Sequence, residues 1–136
     1  YLGGTGSANA LDDYEEGTFT VTNAGDATGV ITQESGEYTK IGRMVYIRIV
    51  FDVGTNFTSR SIGGLPFQVD TDLNGGSAWT PMNVLTESNN DEQIIPKFAN
   101  GTTNIHFDKN NTNNSYHLPN TINNFYRLSG WYITNS

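Results

Sequence analysis

The ten residues Met44–Val53 (MVYIRIVFDV) constrain this chain more than any other feature. Val45, Ile47, Ile49 and Phe51 fall on one face of an extended strand, and Tyr46, Arg48, Val50 and Asp52 on the other. That alternation has a period of two, whereas a helix needs about 3.6. Gly36–Ile41 (GEYTKI) precedes it, with Tyr38 and Ile41 as core contributors, and Gly42–Arg43 is a tight-turn signal. Glu37–Val53 is therefore predicted to form a β-hairpin turning at Gly42–Arg43. Its second face is also partly apolar. A strand apolar on both faces is covered on both. Tyr46 and Val50 are thus expected to be covered, either by the core or, if the domain is an oligomer, by another copy of the chain, with Trp131 a further candidate for such a contact.

Further short strands are expected over Thr18–Thr22, Val30–Thr32, Ser59–Phe67, Ser77–Leu85, Gln93–Phe98, Thr103–Asp108 and Phe125–Thr134. Pro81 marks the Ser77–Leu85 segment as an edge or a bulge. Leu11–Gly17 (LDDYEEG) reads as an acidic turn, Asp70–Gly76 as a loop and Lys109–Asn124 as a long Asn-rich loop. Strands recurring about every ten residues, with no amphipathic helix between them, predict an all-β antiparallel sandwich or barrel. Composition agrees, because Asn, Thr and Gly replace charge and are poor helix formers. The 136 residues suit one domain over 11–136, and the Gly-rich stretch 1–10 (YLGGTGSANA) reads as a linker or the end of a stem. The opening at Tyr1 shows no signal-like regions, and a start without Met suggests a piece of a longer protein or a processed product.

Seven basic against fourteen acidic residues give a net charge of −7. Such a chain repels nucleic acid and anionic membranes. No apolar run approaches the roughly 18 residues of a membrane span. With no cysteine there is neither a disulfide framework nor a thiolate metal site. Four Asn-x-Ser/Thr sequons begin at Asn56, Asn100, Asn110 and Asn113, and matter only on a eukaryotic secretory route.

Catalytic signatures are missing: no nucleophile elbow, no HExxH helix and no phosphate loop. His106 and His117 stand eleven residues apart, a spacing that builds no metal site. Asp12, Asp13, Glu15 and Glu16 cluster in a turn and read as solvated carboxylates rather than a glycosidase pair. Asp70, Asp72 and Asn74 match the first half of a calcium loop, with Gly75 allowing the sharp bend. The bidentate Glu that completes such a loop is replaced by Pro81, and the same residues make ordinary turns. Binding rather than catalysis is expected, with no cofactor beyond that partial calcium pattern.

Loops on a rigid β scaffold carry function. The polar segment 70–124 offers amides and hydroxyls for hydrogen bonds and aromatic rings for stacking on a sugar. Candidate glycan-binding residues there are Trp79, Asn110, Asn111, Asn113, Asn114, Tyr116 and His117. A ligand-free polar loop is the plain alternative, as is a core place for Trp79.

Three blocks stand out in combination: Leu11–Thr18 (LDDYEEGT), Gly36–Tyr46 (GEYTKIGRMVY) and Gly64–Phe67 (GLPF), with the ending Gly130-Trp131-Tyr132-Ile133. Together they resemble a recurring domain of phage tail-fibre and other virion structural proteins. The likeness covers the first half of the chain and its end, and leaves 70–124 unmatched. It implies a jelly-roll-like β-sandwich at the C-terminal head of a homotrimeric fibre, extracellular on the virion, attaching to a host-surface glycan. Its motif residues look architectural and bring no site residues with them. Tyr14 and Phe19 are expected as core anchors, and Lys40 and Arg43 as partners of Glu15, Glu16 or Glu37. The competing readings are a virion domain without a ligand and a carbohydrate-binding module of a secreted bacterial protein.

Overall fold

Alternating apolar residues need a partner sheet to bury one face, and two antiparallel sheets here supply it to each other. The computed structural model describes residues 13–24, 29–54, 57, 60–71, 82–86, 94–109 and 124–135. Among these are nine strands and no helix. They are β1 (Tyr14–Phe19), β2 (Thr22–Asn23), β3 (Ile31–Ile41), β4 (Met44–Val53), β5 (Ser61–Gly63), β6 (Asn83–Thr86), β7 (Ile94–Phe98), β8 (Ile105–Lys109) and β9 (Asn124–Ile133). One sheet has the order β1-β3-β4-β9-β6 and the other β2-β5-β8-β7. Every pairing is antiparallel.

The β3–β4 hairpin turns at Gly42–Arg43, as its sequence predicts, with Ile41 opposite Met44. Gly42 adopts φ +58°, the left-handed conformation that a two-residue hairpin turn demands. Val45, Ile47, Ile49 and Phe51 are all essentially buried. They join one hydrophobic cluster with Ile62, Phe98, Ile105 and Phe107 of the second sheet. Aromatic rings tie the layers: Phe98 lies 4.7 Å from Tyr132, and Phe51 lies 6.5 Å from Phe107. Within the first sheet Phe51 stacks on Tyr126 at 5.1 Å. Tyr132 donates its hydroxyl to the Phe67 carbonyl at 3.0 Å, so its polar tip is satisfied inside the core. Burial raises the pKa of that phenol well above its ordinary value.

Several boundaries differ from the sequence expectation. Tyr14–Gly17 is not a turn but the start of edge strand β1, paired with Tyr38–Ile41. The expected strand Thr18–Thr22 is split: Thr18 and Phe19 end β1, while Thr22 begins β2 in the other sheet. Val21, buried between them, marks the crossing. Val30–Thr32 and Gly36–Ile41 merge into the single strand β3, because a register shift between Thr32 and Ser35 absorbs the irregularity. Among the described residues of the expected strand Ser59–Phe67, strand is confined to Ser61–Gly63, ended by Gly64 at φ +96°. Pro96 sits in β7, at the edge of its sheet, where a missing N–H breaks no ladder. Its carbonyl accepts the Met82 N–H at 2.9 Å, joining the two sheets beside β6.

The expected partners of Lys40 and Arg43 are also corrected. Arg43 pairs with Asp70 instead of the β1 or β3 glutamates, and Lys40 lies 5.4 Å over the Phe67 ring. Glu15 accepts instead from the Tyr38 hydroxyl at 2.5 Å, which holds the Tyr38 pKa above its usual value.

Candidate functional site

Register places Tyr14, Ile41, Met44 and Ile133 in one row on the outer face of the five-stranded sheet. The next row holds Glu16, Thr39, Tyr46 and Trp131. Then come Thr18, Glu37, Arg48, Ser129 and Asn83, followed by Ser35, Val50, Arg127 and Leu85. Directly paired residues point to the same side of a sheet, so each row is a line of neighbours.

Tyr14, Ile41, Met44, Tyr46, Leu85 and Trp131 are each between 44% and 60% exposed. Tyr14 and Ile41 are therefore not core residues: their register turns them outward, away from the second sheet. Phe19 lies on the inner face and packs against the core as expected. Single exposed apolar residues are ordinary, whereas five of these, Tyr14, Ile41, Met44, Tyr46 and Trp131, fill two adjacent rows and form a surface suited to being covered. Val50, half-buried, and Leu85 lie beyond the Arg48 row, on either side of Arg127.

The other half of the face is concave and mixes polar with apolar side chains. A groove of about 390 Å³ runs over β4, β9 and β6, with Arg48, Arg127, Asn83, Ser129, Val50 and Leu85 among the residues lining it. Arg48 approaches Glu37 at 3.9 Å, with both side chains well exposed. A pair this long and solvated contributes at most about 1 kcal/mol. The acids of this face, Glu16 and Glu37, stand on β1 and β3, while its arginines stand on β4 and β9. Glu16 also accepts from the Tyr14 hydroxyl at 2.6 Å, and this raises the Tyr14 pKa.

The second sheet carries a different cluster. Lys97 and Asp108 form an ion pair that is mostly shielded from solvent. His106 lies beside them, half-buried, with its pKa lowered by desolvation, then by Lys97 and Arg60, against a smaller opposing effect of Asp108.

Of the residues singled out from sequence, Trp79, Asn110, Asn111, Asn113, Asn114, Tyr116, His117, Asp72 and Asn74 lie outside the described residues. Asp70 is described and buried. Its carboxylate accepts from Arg43 Nη2, and Asn135, with its amide nitrogen turned inward, adds a donor at 3.1 Å. Among the described residues no group of three or more His, Cys, Asp or Glu gathers as for a metal ion. No described helix is long and apolar enough to cross a membrane.

Sequence reasoning selected Tyr46, Val50 and Trp131 but missed Arg48, Asn83, Arg127 and Ser129 as a group. Arg48 and Arg127 are 79 positions apart, and only the β4–β9 register makes them neighbours. Comparison with protein-family models, curated proteins and solved structures returned no match.

Proposed function

We propose that this chain is the head domain of a virion tail fibre: a jelly-roll-like β-sandwich that assembles as a homotrimer and attaches the particle to a host-surface glycan, without catalysing a reaction. The three sequence blocks and the aromatic ending support the fibre reading. The observation that carries the assembly is the gathering of five exposed large apolar side chains, Tyr14, Ile41, Met44, Tyr46 and Trp131, in two adjacent rows of one sheet face. Tyr46 and Trp131, side by side on β4 and β9, form its aromatic centre. Covering these rings removes their apolar area from water, at roughly 25 cal/mol per Å². A ligand-free virion domain is the second reading, favoured by the same face, since assembly alone accounts for it.

Sedimentation of the chain tests the assembly. A species of three times the 14.9 kDa chain mass is expected. Tyr46→Ser with Trp131→Ser should dissociate it with the β-sheet circular dichroism unchanged, since both side chains are exposed in the single chain. A wild-type monomer at micromolar concentration overturns the trimer. Adsorption of labelled protein to bacterial cells, lost after periodate oxidation of surface sugars, tests attachment. Periodate-resistant adsorption or none at all overturns the glycan reading.

A further inference from the structure

We propose that the groove between Arg48 and Arg127 is a binding site for a carboxylate-bearing sugar, so that the glycan recognised is an acidic polysaccharide. This rests on the attachment reading above and names its ligand class.

The chain carries only seven basic residues, and two of them line one groove. Val50 stands opposite Arg127, and Arg48 opposite Ser129, so the two arginines are diagonal neighbours across β4 and β9. Diagonal neighbours on a sheet stand roughly 7–8 Å apart, within reach of long side chains. An anion seated between the two guanidinium groups is attracted by both. A guanidinium offers a planar fork of N–H donors that matches a carboxylate bidentately.

The rest of the lining suits a sugar ring. Asn83 supplies an amide and Ser129 a hydroxyl for ring hydroxyl groups, one beside the other in the same row as Arg48. Leu85, 60% exposed, and Val50 flank Arg127 in its row and offer apolar surface on either side of it for the C–H face of a ring. The groove volume, about 390 Å³, lies within the range of roughly 300–1,000 Å³ typical of small-ligand sites. Arg48 meets its carboxylate neighbour Glu37 only at 3.9 Å, a contact that a ligand carboxylate can replace. The net charge of −7 does not forbid this. Charges farther than about 8 Å are largely screened at physiological salt, and of the acids Glu16 and Glu37 on this face only Glu37 directly adjoins the groove, beside Arg48.

The test is binding of the whole chain to polygalacturonate and polysialic acid as carboxylate arms, chondroitin sulfate as a mixed carboxylate and sulfate arm, and dextran sulfate as a sulfate arm. Neutral dextran and mannan complete the panel. A carboxylated polymer should bind, more weakly as salt rises. Arg48→Gln and Arg127→Gln should each weaken it by roughly tenfold or more. Arg60→Gln removes the same charge from outside the groove, and should stay within about twofold. All three should melt like the wild type.

Binding of a neutral polymer only, unmoved by Arg48→Gln, overturns the acidic-sugar site and leaves the attachment reading intact. Preference for dextran sulfate over every carboxylated arm overturns the carboxylate assignment. No binding to any polymer, with cell adsorption also absent, overturns both readings. If the two arginine variants change the sedimenting species without changing glycan affinity, the pair belongs to a contact between copies, and the inference fails.

Discussion

Arg43, in the turn between β3 and β4, reaches across to the buried carboxylate of Asp70. The guanidinium side chain is 59% exposed and the carboxylate side chain 8%. Arg43 also donates through Nε to the Thr134 carbonyl at 2.8 Å. One residue thus ties the hairpin turn to two distant segments. The two ends of the pair are not equivalent. Arg43→Ala leaves a buried carboxylate without its main donor and should cost about 1–3 kcal/mol. Asp70→Ala leaves a guanidinium already in water and should cost less, about 1 kcal/mol or under. Urea denaturation of both variants measures the order, and a larger loss for Asp70→Ala would contradict it.

Two left-handed glycines should respond differently to alanine. Gly42 at φ +58° has open space where a Cβ would go, so Gly42→Ala should cost only the backbone term, about 1 kcal/mol. At Gly64, φ +96°, a Cβ would run into the carbonyl oxygen of Thr20. The chain there must move, and Gly64→Ala should cost about 3 kcal/mol or more. Melting temperatures of the two variants decide it, and equal shifts would show that the Thr20 contact does not matter.

Phe51 stacks on Tyr126 within the first sheet and faces Phe107 across the core. Phe51→Ala should open a cavity and cost about 3–5 kcal/mol. Phe51→Leu should keep part of the packing and cost less. Denaturant midpoints should fall in that order, with the dependence on urea concentration unchanged.

His106 gives the fold a pH dependence with a defined sign. Its folded pKa lies below the ordinary 6.5, because burial and the nearby Lys97 and Arg60 disfavour the cation. As pH falls below about 6.5, the unfolded chain takes up the proton first, and stability declines. The contribution is therefore present above 6.5 and lost as pH falls through the lowered folded value. His106→Asn should flatten the loss of stability between about pH 6.5 and 5. Parallel denaturation curves for wild type and variant over that range would refute the shift.

The hairpin was legible because its signals are local. Alternation in Met44–Val53 and the Gly42–Arg43 turn each lie within one stretch of chain, and local sterics with amphipathicity decide them. The all-β antiparallel character followed in the same way from short alternating runs between turn residues. The outward placing of Tyr14 and Ile41 was not legible. Both are apolar, and only the β1–β3 register decides which face they join. The partner of Arg43 was hidden too, since Asp70 comes from a segment that no local pattern pairs with the turn.

By itself, then, the sequence determined the all-β character, the β3–β4 turn and the apolar face of β4, because backbone propensity and period-two burial are written residue by residue. It also marked Tyr46, Val50 and Trp131, because a second apolar face shows within a single strand. Only the tertiary structure decided that Arg48, Asn83, Arg127 and Ser129 share a groove and that five exposed apolar side chains fill two adjacent rows of one face. Those groupings depend on strand order and register, which are set by long-range pairing and by packing against the second sheet.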